Sequence, residues 1–170
     1  MKIGYPCINR SIGCTANSTF RLANYSESNL IDKVTNNLNC LSRILRYNID
    51  NHLLFFRISS DLIPFASHPI CTFNWQEYFR ERFQEIGDLI LENDIRISMH
   101  PDQFVLINSN NESIVTKSIL DLKWHCEILD LMGLDEKAKV QIHVGGVYGD
   151  KNSAVERFVD NYKKLPNYIK

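Results

Sequence analysis

Ile95-Arg96-Ile97-Ser98-Met99-His100-Pro101 reads as a short apolar strand that breaks into a loop at a histidine. The same arrangement occurs twice more. Leu53-Leu54-Phe55-Phe56-Arg57-Ile58 runs into the loop carrying His68, and Val140-Gln141-Ile142 runs directly into His143. Each run is followed by a stretch with helical spacing. Successive strands of a parallel α/β sheet or barrel end on one face, so side chains at their C-terminal ends converge there. Three histidines so placed point to a metal-dependent active site.

Working outward, βα units recur about every 40 to 50 residues, a usual length for a strand, a helix and two loops. The first strand is expected near residues 2–8, followed by a loop rich in Asn, Ser and Thr. A helix over 28–48 carries Leu30, Ile31, Val34, Leu38, Leu41, Ile44 and Leu45 on one stripe. The second strand is 53–58, and Pro64 and Pro69 keep the loop after it from becoming helical. Asn74 is expected to cap a helix reaching Glu92, with Trp75, Tyr78, Phe79, Phe83, Ile86 and Ile90 inward. The third strand, 95–99, precedes a helix capped by Asn111 and ended by Gly133. The fourth, 139–143, opens into Gly145-Gly146 and a last helix over 153–164. Four such units make either a small doubly wound sheet or half of an eight-fold barrel, and the residues alone leave both open.

The 170 residues, 44% of them hydrophobic, support one core and show no interdomain linker. A net charge of -1 gives no global attraction to nucleic acid or membrane. No run approaches membrane-spanning length, and Met1-Lys2-Ile3-Gly4 leads into a strand rather than a signal peptide, so a cytoplasmic, intracellular protein is expected. Five cysteines without a CxxC pair read as reduced thiols packed as small hydrophobes.

Four segments, one after each expected strand, together resemble the UV damage endonuclease family (UvdE). They are Gly4-Tyr5-Pro6-Cys7-Ile8-Asn9, Phe56-Arg57-Ile58-Ser59-Ser60-Asp61-Leu62-Ile63-Pro64-Phe65-Ala66-Ser67-His68, Arg96-Ile97-Ser98-Met99-His100-Pro101-Asp102-Gln103-Phe104 and His143-Val144-Gly145-Gly146-Val147-Tyr148-Gly149-Asp150-Lys151. The resemblance extends over the whole chain, which looks like the N-terminal half of a longer family protein. It implies an α/β fold of the TIM (β/α) barrel type, with this chain covering the first four βα units as a half-barrel. It also implies hydrolysis of the DNA backbone immediately 5′ of a photoproduct by a cluster of divalent metal ions. Manganese is the first expectation, with zinc or magnesium as alternatives, and UV-damaged double-stranded DNA is the partner.

The resemblance marks His100 and His143 as metal ligands, and neutral imidazole nitrogen suits such ions. It marks His68 as a catalytic histidine facing the scissile phosphate, although His68 could instead stabilise its own turn. Gln103 and Phe104 match the pair with which the family probes the duplex. An aromatic ring can fill the gap left by extruded bases, and an amide can serve their orphaned partners. Family members commonly carry tyrosine where this chain has Phe104, so a hydrogen bond from that hydroxyl is lost. Tyr5 and Asn9 are expected along the damaged strand, against the alternative of a turn cap and a buried tyrosine. Gly145, Gly146 and Lys151 form a phosphate-contact proposal. Arg57 and Lys2 are left open between holding carboxylates and facing DNA, His52 and His125 are expected to be structural or solvated, and Arg10 and Arg21 are expected to lend local positive potential.

Bridging carboxylates are missing from this picture. Asp61 and Asp102 alone stand at expected strand ends, with Asp150 further into its loop, and the resemblance places the bridging acids on later strands. Two other readings stand beside the nuclease: a metal-dependent sugar isomerase on the same barrel, and an inactive half-barrel fragment. A half-barrel leaves its first and fourth strands as open edges and is expected to expose an apolar interior, which self-association with a second copy would cover.

Overall fold

The structure, a computed structural model, describes residues 1–169. The elements follow in the order β1 (Gly4–Pro6), α1 (Glu27–Asp50), β2 (Phe55–Ile58), α2 (Trp75–Tyr78), α3 (Arg80–Glu92), β3 (Arg96–Met99), α4 (Glu112–Leu131), β4 (Lys139–Val140) and α5 (Lys151–Lys164), with a single 3-10 turn at Leu22–Asn24 before α1. The strands form one parallel sheet in the order β1-β2-β3-β4. That order decides between the two architectures. Crossovers of one hand that always step the same way put every helix on the same face, as in a barrel wall, whereas a doubly wound sheet reverses direction. The fold is a half-barrel of four βα units.

Capping explains where the helices begin and end. Ser26 accepts from the Asn29 N–H to start α1, Asn74 from Glu77 to start α2, and Asn111 from Ser113 to start α4. Before β2, β3 and β4 the chain turns through a left-handed residue: His52 (φ 57), Asp94 (φ 48) and Gly133 (φ 65). In each case the next amide reaches back five residues, Leu53 to Asn48, Ile95 to Ile90 and Leu134 to Leu129. This Schellman closure, used three times, feeds each following strand at a similar angle. His52 is therefore a helix stop.

Alternation along the strands separates two faces. Tyr5, Phe56, Ile58, Ile97, Met99 and Val140 pack with the buried stripe of α1 and with Phe83, Ile86 and Ile90 of α3 in the main core. A smaller cluster of Val105, Ile107, Leu122 and Leu165 seats α5. Fully burying one such side chain contributes roughly 1.5–3 kcal/mol, so these two layers hold the sheet in register.

Four expectations change. The helix over 74–92 is two, α2 and α3, because Phe79 leaves helical geometry (φ -102, ψ 10), and Tyr78 faces outward. The fourth strand is only two residues long, although Gln141 still donates to Met99 O at 2.9 Å. Cys14 and Cys40 form a disulfide, with Cα atoms 6.0 Å apart; Cys7, Cys71 and Cys126 are free thiols. The bond ties the polar first loop to α1, a juxtaposition that a spacing of 26 residues does not reveal. Finally, the face away from the helices is not apolar. Arg57, Arg96, Ser98, Lys139 and Gln141 occupy its alternate positions.

Candidate functional site

His100 follows β3 by one residue, and His143 lies three residues beyond β4, in the loop after it. Their rings meet with centroids 4.6 Å apart and planes tilted by 45°. The His100 Nδ1 lies 2.7 Å from the main-chain oxygen of Gln141. A carbonyl can only accept, so Nδ1 carries the proton and Nε2 keeps its lone pair. This is the arrangement in which a backbone carbonyl orients a ligating imidazole and fixes its tautomer. Gln141 is anchored in turn, since its Oε1 accepts from Arg57 Nη2 at 2.6 Å. Gln141, the residue after β4, thus ties the ends of β2 and β3 to the start of the next loop beside the histidine pair.

The loop after His100 turns outward. Asp102 Oδ1 accepts from the Phe104 N–H at 2.9 Å, a local turn that lifts the ring away from the core. Phe104 is 74% exposed, and Gln103 beside it is also exposed. The chain re-enters the interior at once, at Val105 and then Ile107. A phenylalanine so displayed contributes nothing to the core, and its position requires another explanation.

His68 lies in a separate turn. Its Nδ1 accepts from the Ile70 N–H at 3.1 Å, its carbonyl accepts from Cys71, and its ring lies against Phe65. With Nδ1 accepting, a neutral His68 presents Nε2–H to solvent, as a donor. The turn is held to α4 by Ser67 Oγ, which donates to Asp121 at 2.9 Å.

Tyr5 and Asn9 face inward, contrary to the expectation of side chains laid along DNA. The Tyr5 hydroxyl donates to Asn48 Oδ1 on α1, and Asn9 Nδ2 donates to that hydroxyl, both at 2.5 Å. Asn9 Oδ1 also accepts from Ser11 N. The parity of β1 turns Tyr5 toward the helices, and Asn9 caps the turn beyond.

The β4–α5 loop also has structural reasons for its residues. Gly145 has φ +96, and a Cβ there would stand 2.0 Å from Asn108 Oδ1. Asn108, buried in the β3–α4 loop, donates from Nδ2 to Gly146 O at 2.9 Å. The glycines let two mouth loops close on each other. Lys151 opens α5 and is exposed, but the first amides of that helix already have an anion: Asp150 accepts from Asn152 and Ser153. The Ser153 hydroxyl, which also donates to Asp150, and then these two amides hold the Asp150 carboxyl below its usual range. A phosphate at this terminus would compete with a carboxylate.

Several residues that organise the mouth were not singled out from sequence. Gln141 could have been, as a polar residue alternating with apolar ones in Val140-Gln141-Ile142. Asn108, Asp121 and Arg157, which donates to Asn108 O, carry no local signal. His125 is completely buried on α4, bonded through Nδ1 to Asp121 O at 2.8 Å, and burial pushes its pKa down. Asp61 and Asp102 line one small cavity with Asp121; burial first, then the charge of Asp102, raises the Asp61 carboxyl. Among the described residues no group of three or more His, Cys, Asp or Glu side chains is placed to hold a metal ion. No helix among them is long and apolar enough to cross a membrane.

Four consecutive βα units in one parallel sheet define a segment of a parallel (β/α) barrel, with the paired imidazoles at its strand C-terminal ends. The chain matches the family described as UV-endonuclease UvdE over residues 1–170, and it belongs to that family. It is 42% identical over 170 residues to a UV DNA damage endonuclease of Clostridium perfringens, covering 100% of this chain and 41% of that protein. A UV DNA damage endonuclease of Bacillus cereus (strain Q1) is 43% identical over 144 residues, 85% of this chain and 45% of its own length. The crystal structure of SacUVDE superimposes with a TM-score of 0.96 at 45% identity, over 99% of this chain and 58% of that one. The chain therefore spans less than half the length of these two curated relatives.

Proposed function

We propose that this chain is the first half of the catalytic barrel of a UV damage DNA endonuclease, and that His100 and His143 are two ligands of its divalent metal centre, manganese first. The meeting of the two rings, with His100 Nδ1 engaged by the Gln141 carbonyl, carries the proposal. Two imidazoles fit a borderline divalent ion but form only part of its ligand set. When bound, such an ion supplies Lewis acidity toward the scissile phosphodiester.

The residues of this chain do the rest of the work in view. Gln141 and Arg57 hold the His100 ring in place. Phe104 enters the duplex as a stacking wedge with Gln103 beside it, at a lesion whose bases are already poorly stacked. His68 offers Nε2–H as a hydrogen-bond donor to a phosphate oxygen. Exposed Arg10 and Arg21 supply positive charge for the backbone, which a net charge of -1 does not. Cleavage falls immediately 5′ of the photoproduct. A closed sugar pocket would leave the exposed Phe104 without a purpose, which weighs against the isomerase alternative.

The test is a chimera in which this chain replaces the matching segment of the Clostridium perfringens relative. Nicking of ultraviolet-irradiated plasmid, its absence on untreated plasmid, and its loss with EDTA or with His100→Ala or His143→Ala are expected. A sequencing ladder reads the cut position. Full nicking by either histidine variant would reject the ligand assignment.

A further inference from the structure

A second exposed aromatic stands on the mouth loops. Phe104 follows His100 by four residues, and Tyr148 follows His143 by five. The Asp150 N–H donates to Val147 O at 3.2 Å, closing a turn whose two central residues, Tyr148 and Gly149, have φ 52 and 87. Positive φ at both central positions is the pattern of a type I′ turn, which favours Asn, Asp or Gly there. Gly149 suits it. Tyr148, a bulky residue on left-handed backbone, does not, and strain of this kind gathers at functional sites. The core gives no reason for the ring either, since Tyr148 is 42% exposed and Val144 and Val147 beside it are exposed too. One face of the ring has a partner: the Arg157 guanidinium lies 5.6 Å from its centroid, while Arg157 Nε donates to Asn108 O at 3.0 Å. Asn108 also donates to Gly146 O, so the bridge between the two mouth loops seats the guanidinium behind the ring. A cation so placed fixes an aromatic ring and favours a polyanion in front of it.

We infer that Tyr148 is a second stacking residue of the mouth, whose free face takes an unpaired nucleobase of the opened duplex, separate from the gap that Phe104 fills. The inference rests on the reading of this barrel as a nuclease that opens duplex DNA. Stacking needs only a π-face, which every base has, so a ring on a polar turn holds an unpaired base of any sequence. The turn accepts the strain of a tyrosine because Asn or Gly there would offer no ring. Arg157 is a positioning residue in this arrangement: it reaches the base only through Tyr148.

The test uses the chimera described above, with a fluorescent duplex carrying one photoproduct and its undamaged twin. Anisotropy reads affinity, and thermal unfolding reads stability. Tyr148→Asn gives the turn a residue it favours. It is expected to weaken binding to the damaged duplex about tenfold, with the thermal midpoint equal to the parent's or higher. Tyr148→Phe keeps the ring and is expected to bind within about twofold of the parent. Combined with Phe104→Ala, the Tyr148→Asn loss is expected to multiply, as it does for independent sites. Parent-like binding by Tyr148→Asn, an equal loss in Tyr148→Phe, or a double variant no weaker than Phe104→Ala alone would overturn the inference. A midpoint that falls together with the affinity would also overturn it, since the ring would then be holding the loop or packing on the rest of the barrel. A parent chimera with no preference for the damaged duplex would instead overturn the nuclease reading, and the inference with it.

Discussion

Gly145→Ala separates a structural reason for the Gly145-Gly146 pair from a phosphate-binding one. The new Cβ would sit 2.0 Å from Asn108 Oδ1, on backbone at φ +96. Holding a non-glycine residue in such a region costs roughly 1–3 kcal/mol. The clash falls on a side-chain tip, but Asn108 is 1% exposed and its Nδ2 donates to Gly146 O at 2.9 Å. Moving it aside breaks that bond and strands buried polar atoms, roughly another 1–3 kcal/mol. A loss of about 3 kcal/mol is expected, which in a domain of this size lowers the thermal midpoint by about 6–12 °C. Gly146→Ala is the control: its Cβ would meet Tyr148 ring atoms at 3.6 Å, an ordinary contact, with no left-handed backbone. Its stability should stay within about 0.5 kcal/mol of the parent. Urea and thermal unfolding followed by circular dichroism measure both. A Gly145→Ala chain as stable as the parent would refute the reasoning and return both glycines to the phosphate reading.

Asn37→Ala should cost about 2–4 kcal/mol in urea unfolding, because the buried Asn37 amide accepts from Ser18 N at 2.9 Å and donates to Ser18 O and Leu62 O at 3.0 Å each, tying two mouth loops to α1. Phe104→Ala should leave stability unchanged and, in the chimera, weaken binding to irradiated duplex by roughly 1–3 kcal/mol, read by fluorescence anisotropy. Asp61 has a raised pKa, so the folded state holds its proton longer than the unfolded state; its contribution falls as pH rises from the unfolded value near 3.8 through the raised one. Asp61→Asn should therefore remove that decline from urea midpoints measured across the acid range. His125 has the opposite sign, since its lowered pKa costs stability as pH falls below about 6.5, and midpoints of a His125→Gln chain should lose that dependence.

The repeat was legible because it rests on local chemistry. Ser, Asn and Gly at helix ends and apolar runs of strand length placed most elements within a few residues, and His100 and His143 just beyond strand ends followed from them, whereas His68 sits in a turn of its own. Phe79 gave no warning that a helix would break there, because it sits on the same apolar stripe as Phe83. The direction of the sheet was not local either: it took the strand pairing to show that all helices lie on one side. At the site, the meeting of His100 and His143 and the outward turn of Phe104 were readable as positions, since they follow from where strands stop. Tyr5 and Asn9 were not, because one step of strand parity decides between the mouth and the core. The disulfide, the Asn108 bridge and the Asp150 cap join residues through folded loops, and no spacing announces them.

The paired imidazoles are the centre of the account, and a paramagnetic ion examines them directly. Manganese(II) chloride titrated into the isotopically labelled chain should selectively broaden the imidazole resonances of His100 and His143, then the amides of Gln141 and Val144, with His52 and His125 less affected. His143→Ala should abolish that pattern without altering the fold. Broadening centred on Asp61 and Asp102 instead, or spread evenly over surface carboxylates with the two histidines sharp, would contradict it.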